Sequence, residues 1–370
     1  MLARTALLGL LWTGSALCHK PQELGDEERI SRWKGGYSFQ GIQTFAHLPH
    51  TQCLVEQDAG FDLAIIGVPF DTSVAYRPGA RFGPRAIRSA SQRQIPARGF
   101  NHAQGLNPYQ NWATVLDCGD IPVTPFDNAV AFEQMTEAYR DLLRRPAKTQ
   151  PKAATPKTLG KDNIYHPRLV TLGGDHSVAL PALRALHEIY GPVSVLHFDS
   201  HLDTWNPSSL AGAWASEQSN YNHGSMFWIA HNEGLIAKDG NIHAGLRTRI
   251  FGDDYGDYAE DAKQNFQYIE TEEPGLAPGT GCPEPGGWTT RELKAMLRGL
   301  EKLNIVGADV VEVAPPYDDA GESTAWAAAD LAYELLGLMV ANPPYPVDGY
   351  VAKKKFARKW HEAVPRKDEL

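Results

Sequence analysis

Apolar residues in this chain gather in short unbroken runs that stop at glycine or proline. Asp62-Leu63-Ala64-Ile65-Ile66-Gly67-Val68-Pro69 is one, and Arg168-Leu169-Val170-Thr171-Leu172 before Gly173-Gly174 is a second. Val193-Ser194-Val195-Leu196-His197-Phe198 is a third, and Asn304 to Glu312 a fourth. Runs of this length without alternation predict strands buried on both faces. Leu180 to Tyr190 and Asp330 to Ala341 carry a helical pattern instead. Strands alternating with helices predict an α/β domain with a mostly parallel central sheet covered on both faces. One large domain over residues 19–347 accounts for the pattern better than two. Within it, His19 to Gln40 is polar and reads as a linker with little structure. The Lys-, Pro- and Thr-rich stretch from Arg145 to His166 reads as a surface insertion.

The two ends depart from this pattern. Arg4 precedes an apolar run from Ala6 to Leu11 that continues through Trp12 to Ala16. That length suits a signal-peptide core and falls short of the roughly 20 residues a bilayer span needs. Small residues at Ala16 and Cys18 place cleavage before His19, so residues 1–18 read as a signal peptide; a buried N-terminal helix is the alternative. Residues 348–370 form a basic tail ending in Lys367-Asp368-Glu369-Leu370, the tetrapeptide read by the retrieval receptor of the endoplasmic reticulum. Together the ends predict the secretory pathway and residence in that lumen, with no membrane span.

Composition narrows the partners. With 42% hydrophobic and 21% charged residues among 370, the chain has ample material for a core, which excludes a disordered or collagen-like reading. The net charge is -9 and no basic stripe gathers outside the tail, so no nucleic-acid partner is expected. Cys18, Cys53, Cys118 and Cys282 lack the paired spacing of a metal knuckle. Removing the signal peptide would leave three of them, room for one intrachain disulfide at most.

The chemistry concentrates in His197-Phe198-Asp199-Ser200-His201-Leu202-Asp203. If the chain stays extended, His197, Asp199, His201 and Asp203 project from one face and could converge on a metal. The alternative is a solvated strand end, but buried carboxylates need partners, and ligands of open α/β sheets collect at this end of the strands. Gly173-Gly174-Asp175-His176-Ser177 leaves a neighbouring strand at the same end and could aim His176 at the same point. Oxygen and imidazole donors without cysteine suit manganese or another borderline divalent ion. Asn222-His223-Gly224-Ser225 offers His223 as a proton shuttle or substrate contact, or simply as a loop histidine. Glu312 ends an apolar strand where a carboxylate could grip a cation, or be satisfied by backbone donors.

These stretches resemble the ureohydrolase family of arginases and agmatinases, and within it the agmatinase branch. The resemblance runs from Asp62 to about Ala341. It includes Gly67-Val68-Pro69-Phe70-Asp71 through Arg81-Phe82-Gly83-Pro84, Ala277-Pro278-Gly279-Thr280-Gly281 through Gly287, and Asp309 through Pro316. It implies a three-layer α/β/α fold and hydrolysis of a small cationic guanidino compound, agmatine or similar, to urea and an amine with two manganese ions. By position, His176, Asp199 and Asp203 match ligands of one manganese, with Asp199 shared and His201 on the other. His223 matches the substrate-side histidine and Glu312 the carboxylate that holds the guanidinium. Family members are commonly homo-oligomers.

One motif of the family has no counterpart. A strand ending in Ser-x-Asp-x-Asp-x-x-Asp-Pro normally supplies carboxylates to both ions, whereas this chain reads Phe266-Gln267-Tyr268-Ile269-Glu270-Thr271-Glu272-Glu273-Pro274. Aligned on Pro274, the two ligand positions hold Tyr268 and Glu270, and a phenol with a reference pKa near 10 does not replace a carboxylate. The join reads as an internal deletion of one helix and one core strand, leaving the second manganese site incomplete. Three accounts fit: a gene read without one exon, a genuine short splice form, or a diverged protein that recruits Glu270. The close match on both sides favours the first. A catalytically dead homologue kept as a binding protein is the rival to an enzyme.

Overall fold

A computed structural model describes residues 25–32, 36–151, 158–210, 215–271 and 279–343. The expected signal peptide, the C-terminal tail and the join at Glu273-Pro274 lie outside the described residues. The chain divides into two compact units, Met1–Gly41 and Ile42–Leu370. The first carries α1 (Asp26–Arg32), whose first turn holds Asp26, Glu27 and Glu28. That corrects the expectation of a linker with little structure, since acidic residues at a helix N-terminus offset its dipole.

The second unit runs β1 (Leu63–Gly67), α2 (Gly83–Ala90), β2 (Val115–Asp120), α3 (Asn128–Arg144), β3 (Arg168–Leu172), α4 (Ala179–Tyr190) and β4 (Leu196–Phe198). It continues with α5 (Pro207–Leu210), α6 (Met226–Asn232), β5 (Asn241–Leu246), α7 (Gly256–Lys263), β6 (Phe266–Glu270), α8 (Thr290–Gly299), β7 (Gly307–Val310) and α9 (Ser323–Ala341). Every pairing between these strands is parallel. The expected strands are present, but two are shorter than their apolar runs: Val193–Phe198 yields only β4, and Asn304–Glu312 only β7.

Helices cover both faces of the sheet, because successive strand residues alternate between them. Leu63, Ile65, Val170 and Leu172 face α2 and α9 through Ile87, Ala328, Ala332, Leu336 and Met339. Ala64, Ile66 and Leu169 face α3 and α4 through Met135, Tyr139, Leu142, Leu186 and Ile189. Asp127 caps α3 by accepting from the amides of Ala129 and Val130, and Thr289 with Glu292 forms a capping box on α8. Helix α9 is long and apolar enough to cross a membrane by length and composition. Here it is a core helix, and its fully buried Glu334 is paired with Arg298 and Lys294.

The segment expected as a surface insertion is anchored at both ends. The Ala147 amide donates to the Tyr165 carbonyl at 2.8 Å, and Ala147, Tyr165 and His166 are buried. Cys53 and Cys118 form a buried disulfide with Cα atoms 5.1 Å apart, tying β2 to the loop before β1. Cys282 is free.

The strands fall into two sheets, ordered β2-β1-β3-β7 and β4-β5-β6. Among the described residues, no strand pairs with β7 on the side away from β3, or with β4 on the side away from β5. The consequence shows in burial. Strands β1 and β3 are buried throughout, whereas every residue of β7 is only half-buried and Leu196 of β4 is exposed. The C-terminal ends of β3, β7 and β4 nevertheless meet at one place.

Candidate metal centre

The chain leaves β3 through two glycines, of which Gly174 could not be replaced without displacing backbone and Gly173 not without displacing the Val311 side chain. A Cβ on Gly174 would stand 1.6 Å from the Phe70 carbonyl oxygen, and one on Gly173 2.4 Å from Val311 Cγ1. The turn is therefore pressed between the exits of β1 and β7. Asp175 locks it by accepting from the amides of Ser73 and Ser177, each at 3.0 Å. Burial pushes the Asp175 carboxyl up to about 7, and the charge of Glu312 adds to the effect.

His176 is thereby aimed at the exit of β4. Its Nδ1 lies 2.9 Å from Asp203 Oδ2 and 3.6 Å from Asp199 Oδ2. Burial works against its charge, but the hydrogen bond and charge of Asp203 prevail and hold it at about 10. His197 Nε2 lies 3.5 Å from Asp199 Oδ2 and 3.8 Å from Asp203 Oδ2. One donor atom from each of His176, His197, Asp199 and Asp203 falls within 4.8 Å of all the others. With bonds of about 2.1 Å, two atoms on one divalent ion stand at most about 4.2 Å apart, so a group spread over as much as 4.8 Å must draw together by about half an ångström or more to hold a single ion.

The extended alternation expected over residues 197–203 does not persist. Regular pairing stops at Phe198, and Asp203 takes a left-handed conformation with φ of 56° that swings its carboxylate back toward His176. His201 consequently stands beside Asp199 rather than within the group of four. Its Nδ1 is 3.1 Å from Asp199 Oδ1 and its Nε2 3.9 Å from Glu284 Oε1. Burial opposes its charge, but Asp199 raises it to about 9. Asp199 faces the opposite balance: burial disfavours its charge, yet His197 and His201 hold it well below the usual carboxylate range.

Across the cavity, His223 Nδ1 lies 3.5 Å from Glu312 Oε1, and the Ala75 amide donates to His223 Nε2 at 3.0 Å. Glu312 has a φ of 62°, accepts from the His176 amide at 2.9 Å through Oε1, and keeps a buried Oε2 without a hydrogen-bond partner. His176, Asp199, His201, Asp203, His223 and Glu312 all line one cavity of about 260 Å³. Glu284, Arg247 and Trp288, which the sequence reading passed over, line it too. Tyr268 and Glu270 do not. Both are exposed on β6, where the Tyr268 ring sits 4.7 Å from that of Tyr258. Desolvation, then the charge of Glu270, pushes the Tyr258 hydroxyl up to about 12. Glu270 is thus not recruited to the centre.

The profile described as "Arginase family" matches residues 61–274 and again 269–337. The chain belongs to the arginase family. "Putative agmatinase 1" of Schizosaccharomyces pombe is 44% identical, over 83% of this chain and 84% of its own length. An agmatinase of Chromobacterium violaceum is 35% identical over 82% and 90%. Among solved structures, proclavaminate amidino hydrolase from Streptomyces clavuligerus superposes with a TM-score of 0.68 at 31% identity, covering 83% of this chain and 99% of that one. The resemblance is therefore established, together with the parallel-sheet α/β arginase-like fold and the hydrolase class. The comparisons also locate a discontinuity. The family match breaks into two pieces that meet at residues 269–274. The 340-position alignment with the S. pombe relative occupies only 83% of these 370 residues, leaving roughly 30 positions with no counterpart here.

Proposed function

We propose that this arginase-family hydrolase cleaves a linear guanidino compound, agmatine or a close analogue, to urea and an amine with manganese as cofactor. The observation that carries this is the meeting, in one cavity, of a four-donor His/Asp group and a His223–Glu312 pair. Manganese held by the His/Asp residues would supply Lewis acidity beside the guanidinium carbon. Glu312 Oε2, buried and unpartnered, can accept two charge-assisted hydrogen bonds from a guanidinium. The Ala75 amide occupies His223 Nε2 as an acceptor, so Nδ1 is the nitrogen that faces the cavity and can pass a proton to the departing amine. The balance is one water consumed and one urea released per amine freed.

Purified protein loaded with manganese should release urea from agmatine or 4-guanidinobutyrate. Stable, manganese-loaded protein that releases none would overturn the reading. The positions of Tyr268 and Glu270 outside the cavity favour a second reading, an inactive family member kept as a binding protein, and the same assay separates the two. We also propose residence in the lumen of the endoplasmic reticulum. The terminal motifs support this, as does the Cys53–Cys118 disulfide, a bond that persists in oxidising compartments. Retention of a tagged full-length chain in that lumen, lost on deleting the last four residues, is the expected result.

A further inference from the structure

His197 is a residue the resemblance gives no role. Its surroundings determine which nitrogen carries hydrogen. Asp261, at the end of α7 and fully buried, accepts through Oδ1 from the Thr204 hydroxyl at 2.7 Å and from His243 Nε2 at 3.0 Å. With Nε2–H directed at that carboxylate, neutral His243 has a bare Nδ1. His243 Nδ1 and His197 Nδ1 are 2.7 Å apart, so the hydrogen between them belongs to His197. His197 Nε2 is then a bare lone pair. It is buried, has no hydrogen-bond partner, and faces Asp199 Oδ2 and Asp203 Oδ2 at 3.5 and 3.8 Å. Without an ion, Asp203 Oδ2 is served by the hydrogen on His176 Nδ1 at 2.9 Å; His197 Nε2 brings none, so once an ion displaces that hydrogen all four groups present lone pairs that a cation between them satisfies. Packing keeps the relay in line: the His243 ring stacks on Phe266 at 4.0 Å and His197 meets the edge of Phe227 at 4.9 Å.

We propose that His197 is itself a metal ligand in this chain. Asp261 and His243 act as positioning residues that present its Nε2, and the tightest ion is held by His176, His197, Asp199 and Asp203 with His201 outside. This rests on the metal centre of the proposed function but not on its turnover. Two imidazoles and two carboxylates form a complete set for a divalent ion without the acidic motif that residues 266–274 lack.

The test is to strip the full-length protein of metal, add one equivalent of manganese alone, and count coupled imidazole nitrogens by pulsed electron paramagnetic resonance. Two are expected. His197→Ala should leave one and raise the manganese Kd at least tenfold. His243→Gln and Asp261→Asn should raise it about 10- to 100-fold, the range for partners of metal-bound histidines. His201→Ala should retain both couplings. Two couplings surviving in His197→Ala, one lost in His201→Ala, or no manganese bound would each overturn the proposal. Circular dichroism identifies any variant that fails to fold, and the His201→Ala spectrum decides the matter if His197→Ala is one of them. Both couplings present without urea release would support this proposal and count against the hydrolase reading alone. Urea release with a single coupled imidazole would do the reverse.

Discussion

Glu312 sits where the exit of β7 reaches the cavity lined by His176, Asp199 and Asp203. Its φ of 62° places the side chain so that one oxygen holds the His176 amide and the other is left for a ligand. Glu312→Gln keeps the shape and removes the charge. The expected loss is about 1.5–3 kcal/mol of charge-assisted hydrogen bonding, read as a roughly 10- to 150-fold fall in kcat/KM for urea release. His176 sets a second expectation. In metal-free protein its pKa is about 10, so at neutral pH it carries a proton that a cation must displace. Manganese affinity should therefore rise with pH toward 10 and fall in acid. Calorimetry in buffers of differing ionisation enthalpy should detect close to one proton released per ion from this residue; no release at pH 7 would contradict the assignment.

At the scale of elements, what could be foreseen depended on whether the signal lay within one run of residues. Strands β1 and β3 and helix α4 were legible because their burial is uniform or periodic over the element itself. His176, Asp199, Asp203 and Glu312 were legible as candidate donors because each follows a strand at the same end of the sheet, whereas His223 comes from the loop before α6 and had only the family resemblance to single it out. The Asp261–His243–His197 relay was not, since its members come from α7, β5 and β4 and only the parallel register of β4 with β5 brings His197 opposite His243. Alternation in Asn241–Leu246 could have flagged His243 as inward, but nothing local shows what it faces. Helix α2 carries another buried contact assembled across elements. Arg88 donates to both oxygens of Asp117 on β2 at 2.9 and 3.0 Å and to Asp120 at 2.6 Å. Because Asp117 is 1% exposed, Arg88→Ala would leave its charge uncompensated. A loss of about 3 kcal/mol or more in the free energy of unfolding by urea is expected, against little change for the exposed Arg144→Ala.

The molecule as a whole is marked by its divided sheet. The half-buried β7 and the exposed Leu196 lie at the two strand edges left without a described partner, and the family match divides in the same stretch of chain, at residues 269–274. Residue patterns could reveal that the acidic strand motif has no counterpart in Phe266–Pro274, but not which strand edges would stand without a partner, because pairing depends on contacts between distant segments. Inserting the corresponding segment of the S. pombe relative between Glu273 and Pro274 should raise the melting temperature and reduce binding of a hydrophobic dye. Unchanged values would mean that the divided arrangement is already the relaxed one.

The disulfide bears on how such a molecule would come apart. Cys118 lies in β2, the margin of the four-stranded sheet farthest from β7, and its link to Cys53 closes a separation of 65 residues. Loop-closure entropy values such a staple at between about 3 and about 4.7 kcal/mol. It fastens the margin remote from the reactive cavity and leaves the opposite margin to packing and to the hydrogen bonds with β3. Fraying should then begin at β7 and work inward, so that amide hydrogens there exchange before those of β2. Substrate and ion would be released while most of the chain is still folded, and a reductant should erase that order.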